Sequence, residues 1–227
     1  MKDSKILSGT NNGKCESTST RNKFTDYIGY ALYAFGCLGV EILLIMIESN
    51  IYGASSTSWS DLQHIAHWCF TCILWGIAGH LLIKQLPRTS QLKLSWVNIF
   101  ASILLVCISI YITSMMWTGF KPAMEFVQLG AIRFIFQYIY YAFECLLILL
   151  IIAHGQYAVE TFLCRNVIIP FGGIILAATW GTVHFLTQNG TTGIFTVLQS
   201  LIYGTVFLIL KRNYKLSYIA ILFMFMI

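Results

Sequence analysis

Long runs of apolar residues alternate with short polar segments along this chain. Most runs are near the ~20 residues that a helix needs to cross a bilayer core, and none alternates with the period of two typical of β-barrel strands. The pattern predicts seven membrane helices, the last one short for a full crossing, at about 27–47, 65–83, 94–117, 133–153, 167–186, 193–210 and 216–227. We therefore expect an all-α polytopic membrane bundle.

Composition narrows the class of protein. Of the 227 residues, 57% are hydrophobic and only 10% are charged, whereas soluble domains carry about 25% charged residues. This excludes a soluble domain, and the high hydrophobicity excludes a disordered chain. We expect a flexible polar tail over residues 1–25 and a single transmembrane domain over residues 26–227.

Basic residues predict the orientation of the bundle, because cytoplasmic loops of membrane proteins are enriched in Lys and Arg. Twelve of the 14 Lys and Arg residues fall in the tail and on the loops of one predicted side, and only Lys121 and Arg133 fall on the other. The N-terminus is therefore expected in the cytoplasm. We attribute the net charge of +5 to the orientation of the chain in the membrane and not to binding of nucleic acid. The expected location is a bacterial cytoplasmic membrane.

Ionisable side chains at membrane depth are costly, so each is a candidate for function. Those in this chain are Glu41, His80, Glu144, Glu160, Arg165 and His184. We interpret Glu41 as a carboxyl group facing the bundle and His80 as a solvated side chain. His64 and His67 precede Cys69 and Cys72 in a spacing that metal sites use. The two pairs lie on different helical faces, so an interfacial His pair with buried thiols is the preferred interpretation.

Glu160 and His184 form the most informative pair, because a carboxylate and an imidazole in a membrane cavity can activate water. If the Pro170-Phe-Gly-Gly segment is the tip of a helical hairpin, both residues lie ~18 Å from that tip, at the same depth. Arg165 would then either snorkel to the cytoplasmic interface or pair with Glu160 about one turn away.

A second topology ends the fourth helix near His154-Gly-Gln instead. Glu160 would then lie on an interfacial helix, far from His184. Glu144 would be the carboxylate near His184 in that arrangement. The sequence leaves both topologies open.

Residues 133–227 resemble the CPBP (Abi) family of CAAX-processing and bacteriocin-processing membrane peptidases. The segment Glu160-Thr-Phe-Leu-Cys-Arg165 is similar to the family's E-E-x-x-x-R motif, with Thr161 in place of the second Glu. The segment Trp180-Gly-Thr-Val-His184 is similar to its F-x-x-x-H motif, with Trp for Phe. The third motif has Met224 where a His is expected, and its Asn or Asp would fall beyond Ile227.

The resemblance implies a glutamate-type intramembrane endopeptidase. Glu160 would activate water, Arg165 would be its structural partner and His184 would assist, with Glu144 as a further carboxylate. The substrate would be a peptide or a membrane protein, in peptide maturation or bacteriocin self-immunity. No motif calls for a metal or another cofactor, and the lipid bilayer is the expected environment.

The departures from the motifs keep a second class of function open. Without the second Glu and the third motif, the chain would be a catalytically inactive scaffold or immunity protein that binds a peptide or a partner membrane protein. A transporter using Glu41 and Glu144 would be expected to show an inverted repeat, and none is evident in the sequence.

Overall fold

The structure is a computed structural model that describes residues 17–87 and 93–227, with side chains from residue 21 onward. All regular structure in these ranges is helical. A 3₁₀ turn, Ser56–Ser58, follows α1, and a π-helical turn, Ala177–Gly181, joins α5 to α6. The helices are α1 (Ser17–Tyr52), α2 (Asp61–Ile83), α3 (Trp96–Met116), α4 (Lys121–Phe162), α5 (Phe171–Leu176), α6 (Thr182–Thr187), α7 (Gly190–Ile209) and α8 (Tyr214–Met226).

Five of these helices are long and apolar enough to cross a membrane: α1, α2, α3, α4 and α7. The segments Phe171–Thr187 and Tyr214–Met226 are apolar but shorter. Large apolar side chains such as Val97 and Phe100 are exposed on the outside of the bundle, as expected for surfaces that face lipid rather than water. The all-helical, membrane-type class is therefore confirmed.

Local sequence explains where several helices begin. Ser60 and Gln63 form a reciprocal capping box at the start of α2, and Ser95 and Asn98 do the same for α3. These polar side chains satisfy backbone N–H groups that have no partner inside the helix. Helix α1 begins at Ser17, within the stretch predicted as a polar tail.

Helix α4 is the centre of the bundle. It packs against α1, α2, α5, α7 and α8, and residues 147–153 are all 3% exposed or less. A segment that is apolar on every face can be buried all round in this way. The helix is broken once, at Gly130, where φ is +73°.

The predicted hairpin tip at Pro170–Gly173 is wrong, because these residues begin a helix. Pro170 precedes the first residue of α5, and the turn from α4 occupies residues 163–170. A Cβ on Gly172 would lie 2.1 Å from the carbonyl oxygen of Ile152, so this glycine permits close packing of α5 on α4. The alternative end of α4 at residues 154–156 is also wrong, since the helix continues to Phe162.

The two ends of the bundle differ in charge. At one end, which we call the basic end, Lys211 Nζ donates to the carbonyl of Lys93 at 2.9 Å, and Tyr214 OH donates to that of Pro87 at 2.8 Å. The same end carries Arg21, Lys23, Lys84, Arg165, Arg212 and Lys215. At the other end, which we call the opposite end, Arg133 pairs with Asp61 at 3.2 Å.

Candidate functional site

A cavity of about 540 Å³ lies between α1, α4 and the segment containing α6. We call it the Glu144 cavity. Its apolar lining is interrupted by a few polar side chains, the composition typical of ligand sites. It extends toward the opposite end of the bundle, where Thr187 and Gln188 are exposed. The polar lining residues include Glu41, Tyr140, Tyr141, Glu144, His184 and Gln188.

Glu144 projects from the middle of α4, and one of its two carboxylate oxygens accepts a hydrogen bond from the protein. Its Oε1 accepts a hydrogen bond from Trp180 Nε1 at 3.2 Å. Within residues 17–87 and 93–227, Oε2 has no hydrogen-bonding protein partner. The side chain is partly accessible and lines the cavity, so this oxygen is available to a ligand or to water.

His184 lines the same cavity and contacts the same tryptophan. Its Nδ1 lies 2.8 Å from the carbonyl oxygen of Trp180, and the two rings are edge to face with centroids 4.5 Å apart. A carbonyl oxygen can only accept, so we assign the hydrogen of the neutral ring to Nδ1. The basic lone pair is then on Nε2. Trp180 therefore links the carboxylate and the imidazole on one wall of the cavity.

A second carboxylate, that of Glu41, reaches the cavity from α1. Its Oε1 is 3.8 Å from His67 Nε2, and it interacts electrostatically with Glu144 and His184. Tyr140 is a further neighbour of this carboxylate. Glu41 faces the bundle as the sequence predicts. Its partners, which could not be identified from the sequence, are the residues just described.

A smaller cavity of about 130 Å³ lies next to the first and shares His184 and Gln188 with it. Buried Lys121 lines this cavity and donates from Nζ to the carbonyl of Phe225 at 2.6 Å. The rings of Tyr141 and Phe225 flank the ammonium group at 4.8 and 4.9 Å, as in a cation–π contact. A positive charge therefore lies near the acidic cavity.

Glu160 occupies a different environment at the basic end. Oε1 accepts from Gln156 Nε2 at 2.8 Å and from the Val167 amide at 3.2 Å. Arg212 donates to both carboxylate oxygens, with Nε 3.1 Å from Oε2. Oε1 thus accepts from three donors and Oε2 from one, so Arg212 pairs with this buried carboxylate on both oxygens. We call this cluster of Gln156, Glu160, Val167 and Arg212 the Glu160 node.

The predicted meeting of Glu160 and His184 does not occur. Both Glu160 and Glu144 lie on α4, sixteen residues apart, which at ~1.5 Å per residue separates them by roughly 24 Å. His184 is at the Glu144 level, because it contacts Trp180, whose indole binds Glu144. The predicted partner Arg165 is exposed in the turn after α4, and the guanidinium on Glu160 belongs to Arg212.

The His and Cys cluster on α2 does not gather into a metal site. No group of three or more His, Cys, Asp or Glu side chains with metal-binding geometry occurs in the described part of the chain. The predicted interfacial position is wrong for His67, which is 3% exposed, and the predicted burial is correct for Cys72 but wrong for Cys69, which is exposed. His67 Nδ1 contacts Glu48 Oε2 at 2.5 Å. This contact was not predicted from the sequence, because its two partners lie on different helices.

Two further residues were not recognised in the sequence: Arg212, and Trp180, which was identified only as a variant position in a motif. Its i, i+4 spacing to His184 was a usable signal, because such residues are neighbours on one helical face. No protein-family model, curated protein or solved structure matches this chain. The fold and the site define a helical, membrane-type protein with an acid–base cavity inside its bundle.

Proposed function

We propose that this protein is an intramembrane hydrolase of the glutamate-peptidase type, in which Glu144 activates water and His184 assists. The observation that carries the proposal is that Trp180 contacts both Glu144 and His184, which we call the Trp180 bridge. Both side chains line one cavity, and one oxygen of the carboxylate has no hydrogen-bond partner among the described residues. Glu144 thus takes the role that the resemblance to CPBP peptidases implied for Glu160. We assign the Glu160 node a structural role, because its carboxylate is paired with Arg212 and accepts four hydrogen bonds from the protein.

The chemistry follows from the free atoms. A water between the two groups donates one hydrogen bond to His184 Nε2 and gives its other proton to Glu144 Oε2. The hydroxide so formed adds to the carbonyl carbon of an amide. Collapse of the tetrahedral intermediate breaks the C–N bond, and Glu144 returns its proton to the leaving amine.

The expected substrate is an apolar peptide segment. Aromatic and aliphatic groups from Phe35, Leu38 and Ile42 line the cavity beside its polar groups, so an apolar side chain can be buried there while the amide faces Glu144. This matches a peptide or membrane-protein substrate, as in peptide maturation or bacteriocin self-immunity.

We further propose that all seven apolar segments enter the membrane, with the basic end in the cytoplasm. The support is the concentration of Lys and Arg at that end, which the positive-inside rule assigns to the cytoplasmic face. The Glu144 cavity would then lie toward the outer face of a bacterial cytoplasmic membrane.

The test is a comparison of new protein N-termini in membranes of cells that express the wild type or the Glu144→Gln variant. We expect cleavage products that require the wild type and disappear in both Glu144→Gln and His184→Ala. The matched control is His80→Ala, which removes an exposed imidazole that does not line the cavity. Identical N-termini in wild type and Glu144→Gln would contradict the proposal.

One observation favours the second candidate function, that of a catalytically inactive protein that binds a peptide or a partner membrane protein. Met224, where the resemblance places a third-motif His, is 1% exposed and lines the small cavity with His184. A thioether supplies no proton and only a weak acceptor. If this departure abolished activity, Met224→His would generate cleavage products that the wild type lacks, and these would vanish again in the double variant with Glu144→Gln.

A further inference from the structure

The second ionisable cluster lies between α1 and α2, outside the region that resembles the peptidases. His67 on α2 is 3% exposed and stands between two carboxylates of α1. Its Nδ1 is 2.5 Å from Glu48 Oε2, and its Nε2 is 3.8 Å from Glu41 Oε1. Each ring nitrogen therefore faces its own carboxylate.

The two carboxylates face different surroundings. Glu41 lines the Glu144 cavity, whereas Glu48 lies two helical turns closer to the opposite end, where α1 finishes at Tyr52. Chains of acidic and His residues at membrane depth are typical of proton pathways. We propose that Glu48, His67 and Glu41 form a proton relay that delivers protons from the opposite end of the bundle to the Glu144 cavity.

The transfer steps conserve charge and atoms. Protonated Glu48 gives its proton to Nδ1 of the neutral imidazole, and the resulting imidazolium gives the proton on Nε2 to the carboxylate of Glu41. The gap between Nε2 and Glu41 must close by less than about 1 Å to reach hydrogen-bond distance. The Glu41 side chain is 27% exposed and has room to move into the cavity. The neutral ring then carries its hydrogen on Nδ1, and reorientation of the ring returns that hydrogen to the side of Glu41.

Trp59 restricts access to the imidazole from the loop that joins α1 to α2. Its ring lies 5.6 Å from that of His67, and its Nε1 donates to the carbonyl of Ala54 at 3.1 Å. This indole is 6% exposed and covers the imidazole. Protons therefore reach His67 through Glu48, whose side chain is 14% exposed.

Other charged groups near the imidazole do not interrupt this path. Arg133 is paired with Asp61 at 3.2 Å, and the ring of His64 lies 5.6 Å from those of Trp59 and Trp68. The titratable and charged groups around His67 are thus Glu41 and Glu48 from α1, Asp61 and His64 from α2, and Arg133 and Tyr140 from α4. The relay requires no hydrolytic activity of the cavity.

The test measures proton arrival at Glu41. Protein in lipid nanodiscs is given a pH jump by photolysis of a caged proton, and time-resolved infrared absorption follows the carboxylic C=O band that Glu41→Gln removes. We expect His67→Gln to slow the appearance of this band by roughly a hundredfold or more, the range for loss of a positioned proton-transfer group. The matched control, His64→Gln, removes the neighbouring imidazole and should keep the wild-type rate.

An unchanged rate in His67→Gln would overturn the relay, because protons would then reach Glu41 through water in the cavity. If His67→Gln fails to fold, Glu48→Gln tests the same path with the imidazole intact. It should slow the Glu41 band as well, and a wild-type rate in that variant would equally refute the proposal.

Discussion

Two glutamates on the same helix show how differently one side chain can be used inside an apolar bundle. Glu160, near the end of α4, accepts hydrogen bonds from Gln156, Val167 and Arg212. Glu144, sixteen residues earlier, accepts one from Trp180 and faces a cavity. Glu160 is paired with a guanidinium that contacts both of its oxygens, so its role is explained by structure. One oxygen of Glu144 has no hydrogen-bond partner among the described residues, and this oxygen is the candidate for function.

The largest effect should come from breaking the Glu160 node. Glu160→Ala leaves the guanidinium of Arg212 mostly buried without its carboxylate, and we expect a loss of about 3 kcal/mol in the free energy of unfolding. Glu144→Ala, which removes the same atoms from the same helix, breaks one hydrogen bond and should cost about 1 kcal/mol. Unfolding by SDS in mixed micelles measures both. Equal losses in the two variants would refute the distinction.

A second variant tests how α5 is held beside the node. Gly172→Ala places a methyl group against the backbone of Ile152 and displaces the amide that donates to Gln156 Oε1 at 3.0 Å. Overpacking of this kind should cost about 2 kcal/mol of unfolding free energy. Gly36→Ala on α1 is the matched control, because its added Cβ meets nothing within 4 Å. If both variants have wild-type stability, α5 is not packed as closely as described.

The bridge at the Glu144 cavity is tested by Trp180→Phe. This change keeps an aromatic ring and removes the indole N–H, so the free energy of unfolding should fall by only about 1 kcal/mol. If the bridge positions Glu144 for chemistry, the yield of cleavage products should fall by more than this small destabilisation explains. Wild-type cleavage in the folded variant would show that the indole hydrogen bond is dispensable.

The smallest effect is expected from Arg165→Ala. The Arg165 side chain is exposed and does not pair with Glu160, and surface substitutions usually change stability by less than about 0.5 kcal/mol. Arg212→Ala should cost several times more in the same unfolding assay. The reverse ranking would restore the pairing that the sequence predicts.

The sequence predicted the positions of the apolar segments because hydropathy is a local property. Each of the seven predicted segments falls largely within helical structure, although α4 runs from Lys121 to Phe162, well beyond the predicted 133–153. The sequence failed where a contact joins distant segments. Arg212 is 52 residues from Glu160, whereas Arg165 is only five residues away, so the nearer arginine was the natural but wrong choice.

The prediction of a hairpin tip at the glycines after Pro170 was wrong for a related reason. Gly and Pro often mark turns, but Gly172 and Gly173 lie inside α5, where they allow close backbone approach. A Cβ on Gly173 would meet the Ser200 carbonyl oxygen at 2.7 Å. Sequence spacing cannot distinguish a turn glycine from a packing glycine. Because these glycines were interpreted as a turn, the predicted hairpin tip was misplaced and Glu160 was paired with His184 in place of Glu144.

The π-helical turn at Ala177–Gly181 makes the cavity wall sensitive to the length of the chain as well as to its chemistry. Such a turn contains one residue more than the α-helix around it. Deleting one of the apolar residues 174–176 while the turn is kept would rotate Trp180 and His184 together by ~100° relative to the glycines that pack α5 on α4. The pair would remain intact but would turn away from Glu144. A deletion of one apolar residue would therefore abolish the site while every polar side chain of the site is kept.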